Sequence, residues 1–259
     1  MKISSVKVQL GIFLAVFGLC ISFLGRDFLL LKGILFGLLC AILADTLINY
    51  IKNKKLVITE SSLISGLIIG YVIPSDLEWW IIGLASILAI SSKHLVRFRG
   101  RHIFNPAALG IFLTTLSLGV FTQWKAAYAW YIIVPAGLYF IFKIRKFEIV
   151  LSYFLVSMIL YGAQALMHRV SLLNILGYLN YFFIFIMLIE PRTTPFSRTG
   201  KLLFGAGVAI LTFIFYQTGV RLEVELLVLL CFNLLTPLLN KITSHFSDTQ
   251  PSVKLEGGL

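Results

Sequence analysis

Residues 91–110 read SSKHLVRFRGRHIFNPAALG and place a basic loop between two apolar segments. Pro106 has no N–H to lose in a first helical turn, and Asn105 is a favoured N-cap. We therefore predict a helix that begins at Asn105, where free N–H groups and the helix dipole favour an anion. The loop before it is either a site for a phosphate, a carboxylate or a lipid headgroup, or a loop whose charge sets membrane topology. Its basic residues are Lys93, His94, Arg97, Arg99, Arg101 and His102.

The composition indicates a membrane protein. The chain has 259 residues, of which 59% are hydrophobic, and its mean hydropathy is +0.95. A soluble domain has roughly 45–50% apolar residues, so that class is excluded. The formal charge of +11 is typical of cytoplasmic loops in a membrane protein. We expect an all-α polytopic protein whose partner is the lipid bilayer and which binds no nucleic acid.

Apolar segments are predicted at ten places in one transmembrane bundle, residues 1–243. They cover residues 7–24, 28–51, 59–74, 78–93, 104–121, 127–143, 147–166, 171–190, 199–217 and 222–240. The third and fifth are short for a hydrocarbon core of about 30 Å. Residues 244–259 are polar and are predicted to form a flexible cytoplasmic tail.

The distribution of Lys and Arg predicts the orientation of these segments. With the N-terminus in the cytoplasm, 17 of these residues lie inside and 5 outside. The outside set is Arg26, Lys32, Lys125, Arg169 and Arg221. We therefore expect a multi-pass protein of the cell inner membrane with both termini in the cytoplasm.

Weak internal similarity suggests an inverted repeat of five plus five segments, residues 7–121 and 127–240. FNPAAL at 104–109 corresponds to FNLLTPL at 232–238. Paired Pro breaks are typical of broken helices around a site near the membrane midplane. We expect the Asn105-Pro106 helix start and a break at Thr236-Pro237 to face each other there. Chance similarity between apolar helices is the alternative.

Few residues suggest a catalytic, metal-binding or ion-conducting role. No nucleophile–base pair, phosphate-binding glycine loop or carboxylate dyad is evident, so no catalytic residue is predicted. The three cysteines lie in apolar segments and suggest packing, so no metal is expected. Asp45 is either an ion-path residue or an interfacial group near Lys52. Arg192 and Thr193 lie in a polar loop that we expect to form one cationic mouth with residues 93–102.

Several motifs carry a family resemblance over residues 30–240. They are SGLIIGYVIP at 65–74, the Trp pair at 79–80, KH at 93–94, HIFNPAA at 102–108 and EPRTTP at 190–195. The chain resembles the NqrB/RnfD family, membrane subunits of the Na⁺-translocating NADH:quinone reductase and of the Rnf electron transport complex. The resemblance implies ten transmembrane helices in two inverted halves, similar to urea transporters. Glu190 stands where the family usually has Asp.

The resemblance also bears on cofactors. The family usually attaches FMN to a Thr in a Ser-Gly-Ala-Thr motif after the fifth segment. Residues 121–126 read FTQWKA, and the motif occurs nowhere in the chain. We therefore expect no covalent FMN, whereas noncovalent riboflavin or FMN suits walls rich in aromatic residues and Arg.

These patterns together favour a membrane subunit of a flavin-dependent electron-transport complex, with ion translocation as the coupled process. It would act as an accessory subunit beside other membrane subunits or FMN-binding proteins. The alternatives are a stand-alone channel or transporter for a small solute, and a membrane anchor for extracytosolic flavoproteins. Asp45 is the candidate for the ion path. The candidates for cofactor binding or a pathway are Lys93, His94, Arg97, Arg101, His102, Asn105, Pro106, Glu190, Arg192, Thr193, Asn233 and Thr236.

The charge distribution gives a testable topology. A cysteine at Asp76 should react with a membrane-impermeant reagent in intact cells, whereas a cysteine at Arg99 should react only after the cells are opened. The reason is that the distribution of Lys and Arg, with 17 residues inside and 5 outside, places residues 93–102 in the cytoplasm. Labelling at Arg99 from outside intact cells would contradict this orientation.

Overall fold

The computed structural model describes residues 5–98, 100–169, 171–220 and 222–244. Within them the chain forms nine α-helices and one short hairpin of two strands. The helices are α1 (Val6–Leu24), α2 (Phe28–Asn53), α3 (Glu60–Val72), α4 (Trp79–Leu95), α5 (Pro106–Leu118), α6 (Trp130–Lys143), α7 (Phe147–Met167), α8 (Arg198–Gln217) and α9 (Val224–Ser244). Strands β1 (Arg97–Phe98) and β2 (Arg101–His102) are antiparallel. Arg99, Arg221 and the predicted tail beyond residue 244 lie outside the described residues.

The helix lengths confirm an all-α, multi-pass membrane protein. Six helices in the described ranges are long and apolar enough to cross a membrane, counting α6 together with the 3-10 helix Lys125–Ala129 that precedes it. The shorter apolar helices are α3, α4 and α5. Helices α3 and α5 have 13 residues each, and at 1.5 Å per residue each is about 20 Å long. The prediction that these two segments are short is confirmed.

The eighth predicted segment, residues 171–190, is not one helix. It consists of a 3-10 helix over Leu172–Tyr178 and a π-helical turn over Phe183–Met187. Asn180 explains the interruption, because its side-chain oxygen accepts a hydrogen bond from the Phe183 N–H at 3.0 Å and starts a new helical turn. Its amide donates to Oε2 of Glu225 at 2.8 Å, which ties the turn to α9.

The predicted break at Thr236-Pro237 is also wrong, because α9 runs unbroken from Val224 to Ser244 with Pro237 inside it. A proline removes one intrahelical N–H donor and need not end the helix when neighbouring groups compensate. In α9 the carbonyl that lacks an intrahelical donor is that of Asn233, four residues before Pro237, and the helix continues past it to Ser244.

An aromatic core lies between α3 and the segment that follows Asn180. The Tyr71 ring is 5.4 Å from that of Phe182, and the Trp124 ring is 6.3 Å from both Phe182 and Phe183. Tyr71, Phe182 and Phe183 are at most 1% exposed. These rings join the two halves of the chain through apolar contact.

Several element ends meet at one end of the bundle, which we call the basic end. Ser5 before α1 donates to Glu60 at the start of α3 at 3.0 Å. Lys93 near the end of α4 donates to Thr59 at 2.7 Å. In the second half, Lys201 on α8 donates to the carbonyl of Arg145, just before α7, at 2.6 Å. The contact of 3.1 Å between His102 and Glu190 joins the loops of the two halves there.

Helices α2 and α3 pack with their backbones in contact. A Cβ atom added at Gly66 would lie 2.7 Å from the Gly37 carbonyl oxygen and 2.7 Å from the Leu38 Cα. The three nearest atoms are two backbone atoms and the Ala41 Cβ, so none of these close contacts is the end of a flexible side chain that could move aside. Small residues permit such close approach of membrane helices.

The Gly66→Ala substitution should therefore destabilise the protein by about 1–3 kcal/mol through overpacking, despite the better helix propensity of Ala. The free energy of unfolding can be measured by SDS titration in detergent micelles. Gly11→Ala is the matched control, because an added Cβ there meets its nearest atom, Ile64 Cγ1, at 3.9 Å. Equal stability of the two variants would contradict the backbone contact.

Candidate functional site

Asn105 begins α5 and connects three parts of the bundle. Its side-chain oxygen accepts from the Ala108 N–H at 3.1 Å, and Pro106 occupies the first helical turn. Its amide donates to the Met187 carbonyl at 3.2 Å, and its backbone N–H donates to Oδ1 of Asn233 at 2.9 Å. The predicted helix start is confirmed. Asn105 is 3% exposed, and protein groups satisfy these polar atoms in place of water.

Asn233 and Thr236 on α9 bind the same carbonyl. Nδ2 of Asn233 donates to the Thr193 oxygen at 3.2 Å, and the Thr236 hydroxyl donates to it at 2.9 Å. Asn233 therefore lies between Asn105 and the loop that contains Thr193. The structure brings Asn105 and Asn233 into direct contact, while Thr236 contacts Thr193.

The loop from Glu190 to Pro195 is held from two sides. Within it, the Thr194 hydroxyl donates to the Glu190 carbonyl at 2.8 Å. Oε1 of Glu190 lies 3.1 Å from Nε2 of His102 on β2. Nζ of Lys146 donates to the Pro195 carbonyl at 2.8 Å, and burial lowers the pKa of Lys146 to about 8. The hairpin and the start of α7 therefore fix the loop.

Asp45 is a buried carboxylate with three partners. Its Oδ1 lies 3.0 Å from Nζ of Lys93 and 2.9 Å from Nε2 of His94, and its Oδ2 accepts from the Thr59 hydroxyl at 2.6 Å. Asp45 is 0% exposed. Its ionic partners therefore lie on α4, and Lys52 lines the same cavity as both of them. Pairing of this kind is what makes a buried charge tolerable.

Two cavities at the basic end share His102 and Arg192 in their walls. The larger has a volume of about 810 Å³ and the smaller about 340 Å³. Of the predicted residues, the larger is lined by Arg101, His102, Arg192, Thr193, Asn233 and Thr236. The smaller is lined by Lys93, His94, Arg97, His102 and Arg192. Asn105, Pro106 and Glu190 line a separate cavity of about 60 Å³.

The structure adds lining residues that the sequence analysis missed. Phe98, Phe196 and Asn240 line the larger cavity, and Thr59 and Lys52 line the smaller. A sequence signal exists for Thr59, because a Thr just before an apolar run is a typical N-cap, and its hydroxyl accepts from the Ser62 N–H at 3.3 Å. Phe196 gives no such signal.

The chemistry of the walls favours an anion and a planar aromatic group. The guanidinium carbon of Arg101 lies 5.1 Å from the centre of the Phe196 ring, so a cation and an aromatic surface already stack there. Among the described residues, no group of three or more His, Cys, Asp or Glu side chains is arranged to hold a metal ion.

The pairing of Asp45 predicts a stability effect. Asp45→Asn should lower the free energy of unfolding, measured by SDS titration, by about 3 kcal/mol, because it leaves the buried Lys93 charge without its carboxylate. Adding Lys93→Met should recover part of this loss, because no unpaired charge then remains.

Asp27→Asn provides the matched control. The Asp27–Lys125 pair is partly exposed, and Asn can still cap the Leu30 N–H, so we expect a loss below about 1 kcal/mol. Equal losses in Asp27→Asn and Asp45→Asn would contradict the assigned burial of the Asp45 pair.

Comparison with known proteins identifies relatives in several bacteria. A Clostridium ljungdahlii protein, named as the D-type subunit of a proton-translocating ferredoxin:NAD(+) oxidoreductase complex, is 30% identical over 82 residues, which are 31% of this chain and 25% of the relative. Proteins named as the D-type subunit of an ion-translocating oxidoreductase complex are 29% identical over 100 residues in Shewanella piezotolerans and 31% identical over 96 residues in Erwinia tasmaniensis. These alignments cover 37% and 35% of this chain, and 29% and 27% of the relatives.

The matched stretches therefore span less than a third of the length of these relatives. The family comparison covers much more of the chain. The sequence model of the NQR2, RnfD, RnfE family matches two stretches, residues 2–129 and 123–247. Together these stretches contain every residue of the site described above. The chain belongs to the NQR2, RnfD, RnfE family.

Proposed function

We propose that this chain is a membrane subunit of an electron-transport complex that couples electron transfer to ion translocation. The observation that carries the proposal is the family match over both halves of the chain. The relatives named as subunits of ion-translocating oxidoreductase complexes support it. By the same argument, its partners are other membrane subunits of such a complex, and its location is the cell inner membrane.

A noncovalently bound flavin, riboflavin or FMN, is the cofactor that the larger cavity fits. Its volume of about 810 Å³ lies within the range of about 300–1,000 Å³ that is usual for ligand sites. Phe98 and Phe196 are half exposed and contribute ring surface, while the exposed Arg192 contributes N–H donors. A bound flavin would supply the redox chemistry, and these residues would bind and orient its ring.

The inverted repeat remains part of this proposal. Helix α3 leads away from the basic end, whereas the segment after Asn180 leads towards it and reaches Glu190 beside His102. Helices α5 and α9 are opposed in the same way and meet at Asn105 and Asn233. The two family matches also divide the chain at residues 123–129, close to the proposed boundary of the repeats.

Asp45 is the proposed ion-path residue. Its carboxylate is buried at the basic end and is bound to the cation of Lys93. A translocated cation can approach Asp45 only if Lys93 moves away or loses its charge, since two cations cannot share one carboxylate at low cost. In this proposal Lys93 therefore controls access to Asp45, and the basic end faces the cytoplasm.

The function is tested by purifying the tagged chain from native membranes in mild detergent. We expect other subunits to accompany it, together with a flavin that is released on denaturation. In membranes, Asn105→Ala and Asn233→Ala should each abolish NAD⁺ reduction by reduced ferredoxin, the activity in the name of the Clostridium relative. Each variant should still insert and assemble, because the other polar contacts of the loop remain.

Asn174→Ala, at an exposed asparagine, is the control and should retain full activity. If Asn105 only caps a helix, its loss should cost about 1 kcal/mol and leave activity intact. Near-normal activity of both variants at matched expression would exclude a shared functional site. Purification without accompanying subunits or flavin would refute the proposed function.

A further inference from the structure

The smaller cavity at the basic end has cations beside Lys93 that the proposed function does not use. Its volume is about 340 Å³, and two lysines and two arginines line it: Lys52, Lys93, Arg97 and Arg192. His94 and His102 line it as well. Two carboxylates, Asp45 and Glu190, contact this lining through Lys93, His94 and His102. Cations therefore exceed carboxylates even when both histidines are neutral.

Two cations of the wall are held by neighbouring groups. Lys93 is 9% exposed, and Nζ is held by Oδ1 of Asp45 at 3.0 Å and by the Thr59 hydroxyl at 2.7 Å. On the hairpin, Nη2 of Arg97 donates to the Gly100 carbonyl at 3.0 Å. A cation fixed by neighbours loses little side-chain entropy when it binds a ligand.

Other cations of the wall keep donors for a ligand. The Arg192 side chain makes no hydrogen bond or ion pair within the part of the chain that the structure describes, and its guanidinium has five N–H donors. Among the described residues, Nζ of Lys52 makes one long hydrogen bond of 3.5 Å, to the His94 carbonyl. Arg is the residue that best matches the paired oxygens of a phosphoryl group.

We propose that this cavity binds a phosphoryl group, with Arg192 and Lys52 as its direct ligands and Lys93 as a fixed cation behind them. The group belongs either to an anionic phospholipid headgroup or to a free phosphate compound. Exposed apolar side chains adjoin the lining residues in sequence, namely Ile51 and Leu95. They offer a surface for acyl chains. The phosphoryl site shares Lys93 with the proposed ion path but does not depend on electron transfer, because only charge and shape in this cavity support it.

Binding of a free phosphate compound is tested on the full 259-residue chain, purified from native membranes with any subunits that accompany it. Inorganic phosphate should raise its melting temperature with saturation, whereas chloride at equal ionic strength should not. Arg192→Gln and Lys52→Gln should each raise the dissociation constant for phosphate at least about tenfold through loss of a charge-assisted hydrogen bond. Lys55→Gln, an exposed lysine outside the lining, should leave it unchanged.

Binding of an anionic phospholipid headgroup is tested by native mass spectrometry of the same variants after exchange into phosphatidylglycerol or phosphatidylcholine. Retention of phosphatidylglycerol by the parent protein and Lys55→Gln, with loss in Arg192→Gln, supports a headgroup site. Saturable phosphate binding with the same variant pattern supports a free phosphate compound. Equal effects of phosphate and chloride, or equal binding by all variants in both experiments, would overturn the proposal, because the loop would then serve topology alone.

Discussion

The hydrogen bond from the Asn105 N–H to the Asn233 side chain is the contact on which the site depends. A helix that begins inside an apolar bundle exposes N–H groups that hydrocarbon cannot satisfy. Asn105 caps the Ala108 N–H, Asn233 accepts from Asn105, and the Thr193 carbonyl accepts from Asn233. Each polar group therefore relies on the next. The short helix α5 can begin inside the bundle because Asn233 on α9 accepts a hydrogen bond from the backbone N–H of its N-cap, Asn105.

Close helix packing positions the charged groups as well. Gly37 and Gly66 bring α2 and α3 into backbone contact, and on α2 Asp45 lies two turns beyond Gly37. This proximity lets Thr59, which caps α3, reach the Asp45 carboxylate. Lys93 on α4 then completes the ion pair. The buried charge of Asp45 therefore depends on the close approach of α2 and α3 and on the ion pair with α4.

The basic end combines two demands on the same side chains. Positive charge at one end of a membrane bundle favours its retention in the cytoplasm. The structure arranges part of this charge around two cavities, with Arg192 and His102 in the walls of both. Asp45 pairs with the buried Lys93, while the N–H donors of Arg192 make no hydrogen bond within the described part of the chain. A loop whose composition serves topology can thus also bind ligands, because tertiary contacts decide which cations are neutralised.

Local sequence patterns were enough to establish the membrane class, the family and most helix positions. Hydrophobic runs, the Asn105-Pro106 helix start and the short α3 and α5 were predictable because capping and apolar length are local properties. The prediction was wrong for residues 171–190, because Asn180, which is bound to Glu225 on α9, starts a new helical turn there. It was wrong for Pro237, because a proline inside a packed bundle need not end its helix. The partner of Asp45 became known only from the packed helices, since Lys93 lies 48 residues away and helix packing sets that contact. The cavities likewise exist only where separate loops converge, and no local pattern encodes that.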